Sequence, residues 1–160
     1  HSLIKIEDPK GGAGIKVKIH GKADRIDRVG GMLRIIDYKT GRVDAKDLKA
    51  DSLAGLSEKD EPAKLLQVMA YALMYADMQA VPPGQLISGI VSLRKSSEYL
   101  MKTEIGKSNI IDKAMLEVFR EELTSIIRSI FDESVPFDQT SDRETCKLCA
   151  FSAICNRTVN

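Results

Sequence analysis

Residues 20–43 read HGKADRIDRVGGMLRIIDYKTGRV, a strand–turn–strand pattern in which charges stand where a strand should bury apolar side chains. Asp24, Asp27, Asp37 and Lys39 are set among Ile26, Val29, Leu33, Ile35 and Ile36. Val29-Gly30-Gly31 supplies a hairpin turn, so Asp24 and Asp37 are expected on neighbouring antiparallel strands. Strand alternation puts Asp37 and Lys39 on one face with Ile35, and Ile36 and Tyr38 on the other. An ionised carboxylate on an apolar strand is costly unless it is paired, hydrogen-bonded or bound to a cation. Two carboxylates held close repel each other, and a divalent cation between them removes the penalty. Oxygen ligands of this kind suit magnesium or manganese, with positions left for water and phosphate. A lysine on the same face can then orient or deprotonate a water. The same residues also permit a plain Asp37–Lys39 ion pair with Asp24 bonded to Arg25 or Arg28, and an isolated D-x-K does not choose.

Outward from this stretch, SLIKIED at 2–8 reads as a first strand, and GIKVKIHGKADRID at 14–27 as a half-buried second one. MLRIIDYKT at 32–40 is a third strand, and together the three form an antiparallel meander. Residues 42–61 are mixed and polar, a loop with a short helix. Pro62 opens PAKLLQVMAYALMYADM, a helix apolar around most of its circumference, stopped by Pro82-Pro83-Gly84. QLISGIVSLR at 85–94 is a further strand with EYLMKTE at 98–104 as its partner. Ser108 is a candidate cap for a last long helix whose face carries Ile111, Met115, Val118, Phe119, Leu123, Ile126 and Ile130. The order is that of a mixed α/β domain.

GKADRID, followed after the hairpin by IIDYKTG, resembles the RecB-like branch of the PD-(D/E)XK nuclease superfamily, in which a G-x-x-D strand leads to a D-Y-K-T-G strand. QVMAY in the helix is similar to the Q-x-x-x-Y element of that branch, and Gln67 and Tyr71, four apart, share a helix face. The resemblance covers roughly residues 2–155 and implies a restriction-endonuclease-like α/β core, a mixed central sheet with the antiparallel meander flanked by helices. It further implies that Asp24, Asp37 and the backbone carbonyl of Tyr38 ligate Mg2+ or Mn2+. Lys39 would position the attacking water, and Gln67 and Tyr71 would hold the site or the DNA strand. Gly21 would allow a close approach of the chain, and Thr40-Gly41 would turn out of the strand. The implied activity is metal-dependent exonuclease hydrolysis of DNA, single-stranded in the active site, within a bacterial helicase–nuclease or recombination-repair protein. A nuclease fold kept only as a DNA-binding or scaffolding module is the alternative. Relatives usually carry a helix ahead of the first strand that brings one more Glu or His, and His1 directly precedes the first strand here.

All three cysteines fall in the tail CKLCAFSAICNR: Cys146, Cys149 and Cys155. C-x-x-C places two sulfurs within reach of one metal ion or cluster, and an odd count disfavours a disulfide framework. The tail is similar to the AddB-type C-x-x-C-x5-C ending, which with a fourth, upstream cysteine holds a [4Fe–4S] cluster. That implies an incomplete cluster site, with zinc as the other reading. The chain is expected to be one nuclease-like domain, 1–160, with 136–160 as its cysteine-bearing tail.

Composition narrows the partners. A hydrophobic share of 43% and a charged share of 29% are ordinary for a globular protein, and no apolar run is long enough to span a membrane. The absence of a secretory pattern gives a cytoplasmic expectation. The net charge of +1 conceals an asymmetry: residues 15–49 hold ten Lys/Arg against five Asp, whereas 117–144 hold eight acids against three bases. The basic segment, which includes the unusual carboxylates, is the one suited to a polyanion. With no Trp and only four Tyr and four Phe, base stacking contributes little, so DNA would be held through its backbone. A helicase domain or subunit is the expected protein partner.

Overall fold

The computed structural model describes residues 2–6, 14–56, 63–94, 100–134, 136, 138–140, 143–147 and 149–157. Its elements are β1 (Ser2–Ile6), β2 (Ile15–Ile19), β3 (Arg25–Val29), β4 (Met32–Lys39), β5 (Lys49–Ala50), α1 (Ala63–Met78), β6 (Leu86–Ser92), β7 (Met101–Lys102), β8 (Glu104–Ile105), α2 (Lys113–Ile130) and the single turn α3 (Arg143–Cys146). The chain divides into two compact units, His1–Arg128 and Ser129–Asn160.

The first unit is built on a mixed four-stranded sheet of order β3-β4-β6-β7. β3 and β4 form the expected hairpin, with Gly30 and Gly31 at φ +59° and +81°. Two successive positive φ values turn the chain tightly enough to match the strands' twist, and glycine adopts them without strain. β4 and β6 run parallel, Asp37 beside Ile90 and Lys39 beside Ser92 in register, and β7 closes the edge antiparallel to β6. A parallel pair requires a crossover, which α1 provides. Leu33 and Ile35 of β4 share a core with Leu65, Met69, Ala72 and Leu73 of α1 and with Leu116 and Phe119 of α2. All seven residues of β6 are buried, which accounts for its mostly apolar character, with Ser88 hydrogen-bonded to Thr103.

The α/β class and the mixed sheet flanked by helices are therefore present. The three-stranded meander is not: β1 pairs with β2 in a hairpin of its own, and β3 with β4 in the central sheet. The expected strand 14–27 breaks at residues 20–24, because Gly21 crosses the face of α1, where a Cβ would lie 2.9 Å from Cε1 of Tyr71. The short helix expected within 42–61 is a 3₁₀ turn, Ala45–Leu48, and β5 after it pairs parallel with β8. Pro62 and residues 57–61 lie outside the described residues, as do residues 98–99 of the proposed partner strand, whose Met101–Lys102 pairs antiparallel with β6 as expected.

The cap of α2 is also not Ser108. Asp112 Oδ1 accepts the Met115 N–H at 2.8 Å, while Ser108 bridges back to Ile105. Asp112 immediately precedes the first helical residue, the position at which a side-chain oxygen reaches the free N–H groups of the first turn. Of the predicted face, Phe119 is fully buried but Ile130 is 60% exposed, and Ile127 takes up the contact instead, against Val17 and Ile19 of β2.

Candidate functional site

Asp37 lies near the C-terminal end of β4, on the face that Leu33 and Ile35 pack against α1. It is 4% exposed, an unusual setting for a carboxylate. Lys39, two residues on, places Nζ 2.9 Å from Asp37 Oδ2 and donates to Gln67 Oε1 at 2.8 Å. Gln67 Nε2 approaches Asp37 Oδ1 at 3.3 Å and donates to Tyr71 Oη at 2.9 Å. One turn of α1 thus ties together the amide, the phenol, the lysine and the carboxylate.

Asp24 is brought to the same end of the sheet by the β3–β4 register. Arg25 pairs with Ile36, so Asp24 stands one position beyond, beside Asp37. The chain bends there, and the carboxylate substitutes for a continuing ladder: Tyr38 N–H donates to Asp24 Oδ2 at 2.8 Å. Asp24 is exposed and bonds neither Arg25 nor Arg28 among the described residues, which removes that bland reading of it. The Asp37–Lys39 ion pair, by contrast, is present.

The pair does not satisfy Asp37. Its Oδ2 is buried without a hydrogen bond, because the Lys39 ammonium lies at ion-pair distance but off the line a hydrogen bond needs. A buried carboxylate oxygen without a hydrogen bond is costly even with an ammonium beside it. A hard divalent cation fits that donor set of two carboxylates with the neighbouring Tyr38 carbonyl. No group of three or more His, Cys, Asp or Glu side chains gathers as a metal site among the described residues.

On the reverse face of β3–β4, Arg34 grips Asp27 with two bonds of 2.7 Å, and Arg25 reaches Asp27 at 2.6 Å. Arg34 and Asp27 are register partners. Sequence reasoning left Asp27 without a role and passed over Arg34. The two-residue turn already puts positions 27 and 34 opposite each other, and opposite charges there were the available signal. Arg34's hydrogen bonds, ahead of the charges of Arg34 and Arg25 and against some burial, hold the Asp27 carboxyl below its ordinary range.

The cysteines belong to the second unit. Cys146 is buried, Cys149 exposed and Cys155 half-buried, none of them in a disulfide. Arg157 donates toward Cys146 Sγ at 3.6 Å, and the Phe151 N–H toward Cys149 Sγ at 3.4 Å. Among the described residues they are not gathered as a ligand group, and nothing in their arrangement supports an iron–sulfur cluster.

This geometry, a parallel β4–α1–β6 crossover with D-x-K at the strand end and Q-x-x-x-Y on the helix behind it, is that of a nuclease-type α/β fold. A profile of the PD-(D/E)XK nuclease superfamily matches residues 1–156, and the chain belongs to that superfamily. Its members are typically nucleases that generally use divalent metals. Comparisons with curated proteins and with solved structures find no match.

Proposed function

We propose that this chain is a metal-dependent deoxyribonuclease domain of the RecB-like branch, acting as an exonuclease on a single DNA strand within a helicase–nuclease or recombination-repair protein. The observation that carries the reading is the orphaned, buried Oδ2 of Asp37 with Lys39 and Gln67 on one side of it. Asp24, Asp37 and the Tyr38 carbonyl would hold the cation. When bound, Mg2+ or Mn2+ polarises a phosphoryl oxygen and makes a water more acidic.

The remaining roles fall to the chain's own residues. The Tyr38 N–H holds one oxygen of Asp24 and leaves the other for a ligand. Gln67 holds Lys39 near Asp37, and Tyr71 fixes the Gln67 amide. Relieved of neutralising Asp37, the Lys39 ammonium orients a water for attack on phosphorus and offsets charge on the phosphate. A non-catalytic module has no use for so costly an arrangement.

The test is Mn2+- or Mg2+-dependent degradation of labelled single-stranded DNA, with Gln67→Ala beside wild type. Metal-dependent shortening from an end, with cleavage reduced at least about tenfold in the variant, supports the reading. Metal binding without cleavage of any DNA would reject it.

A further inference from the structure

The segment that leads into Asp24 has a regularity the site itself does not use. Residues 15–24 read IKVKIHGKAD, with a basic side chain at every second position: Lys16, Lys18, His20 and Lys22. All four are exposed. The intervening positions turn inward. Val17 and Ile19 pack on Ile127, Gly21 lies against Tyr71 and Met74, and Ala23 packs on the main core. The alternation thus continues beyond the end of β2 as far as Lys22, two residues before Asp24.

The charge of this row is uncompensated. Residues 14–23 contain no acid. Lys16, Lys18 and Lys22 make no ion pair among the described residues, whereas Arg25, Arg34 and Lys39 just beyond them are each held by a carboxylate. Three lysines and a histidine in single file repel one another, and a polyanion lying along them removes that repulsion. The row is one residue wide and, at about 3.3 Å per extended residue, at most about 20 Å long from Lys16 to Lys22. Its width suits one sugar–phosphate backbone.

We propose that Lys16, Lys18, His20 and Lys22 form a track that holds a single strand of DNA by its phosphates and delivers it to Asp24 and Asp37. The inference rests on the nuclease reading of that site. It assigns the track to affinity and the approach path, with chemistry left to Lys39 and the carboxylates.

The test measures binding apart from cleavage. Anisotropy of a labelled 30-nucleotide single-stranded DNA is titrated with the full chain in EDTA at several salt concentrations. Wild type is compared with Lys16→Gln/Lys18→Gln/Lys22→Gln, with single Lys18→Gln, and with Lys102→Gln/Lys107→Gln as a control elsewhere on the surface. Each lost phosphate contact lowers the log–log salt slope by about 0.7, so the triple variant should lose roughly 2 units of slope and at least about tenfold in affinity. Lys18→Gln should lose about a third of that slope, and the control should bind like wild type. Equal losses in triple variant and control, an unchanged triple variant, or no DNA binding by wild type would overturn the track. So would tighter binding of RNA or of anionic vesicles through the same lysines. Track-dependent binding without metal-dependent cleavage would refute the nuclease reading and leave the track standing as a DNA-binding surface.

Discussion

Asp37 concentrates the tension in this structure. A carboxylate 4% exposed, with one oxygen lacking any donor, is tolerable only because Lys39 stands 2.9 Å away. Removing the ammonium by Lys39→Ala should therefore destabilise the domain by about 1–3 kcal/mol, less than for a fully buried pair because Lys39 is 32% exposed. Mn2+ should recover more stability in Lys39→Ala than it adds to wild type, since the cation takes over the missing neutralisation. At a concentration a hundred times its Kd, Mn2+ adds about 2.7 kcal/mol to a binding-competent chain, and Asp37→Asn should lose that increment. Thermal denaturation with and without Mn2+ reads wild type and both variants. Asp27 behaves differently, because its carboxyl is held below the ordinary range by Arg34. A depressed folded-state pKa gives stability that is fully present above the unfolded-state value and is lost as pH falls through the folded one. The β3–β4 pairing should weaken on acidification below the usual carboxylate range. Asp27→Asn should lower the melting temperature at neutral pH and flatten its acid dependence.

Between elements, two glycines decide how closely the chain can pass its neighbours. A Cβ on Gly89 of β6 would lie 2.3 Å from the Met101 carbonyl oxygen of β7, and backbone cannot yield as a flexible side chain can. Gly89→Ala should cost about 1–3 kcal/mol by overpacking, visible as a lower denaturant midpoint. Gly21→Ala would press on the Tyr71 ring and through it on Gln67, with a loss of turnover exceeding its loss of stability. The sequence displays these elements unequally. The β3–β4 hairpin, α1 and β6 could be read because Gly-Gly, a run of apolar helix formers and a mostly apolar strand are local signals. The break at 20–24 could not, because it depends on Tyr71, far along the chain. Likewise the Ser108 cap was displaced by Asp112, which lies closer to the first helical turn. Asp24, Asp37, Lys39, Gln67 and Tyr71 were each visible in the sequence. The joining of Asp37, Lys39 and Tyr71 through the Gln67 side chain required the β4–α1 packing that only tertiary structure supplies.

At the scale of the whole molecule, superfamily membership spans residues 1–156, and no described helix is long and apolar enough to cross a membrane. The cysteine spacing pointed to a shared ligand site, but spacing alone does not set sulfur positions, and among the described residues the three sulfurs are not gathered as a ligand group. The nuclease account therefore stands on Asp24, Asp37 and Lys39 and does not draw on the tail. One assay tests it most directly: degradation of end-labelled single-stranded DNA with Mn2+ or Mg2+, comparing wild type with Lys39→Ala at equal folded concentration. The account predicts cleavage that EDTA abolishes and that falls by at least about a hundredfold in the variant, the scale of a lost proton-handling group. Cleavage that proceeds equally in Lys39→Ala would contradict it.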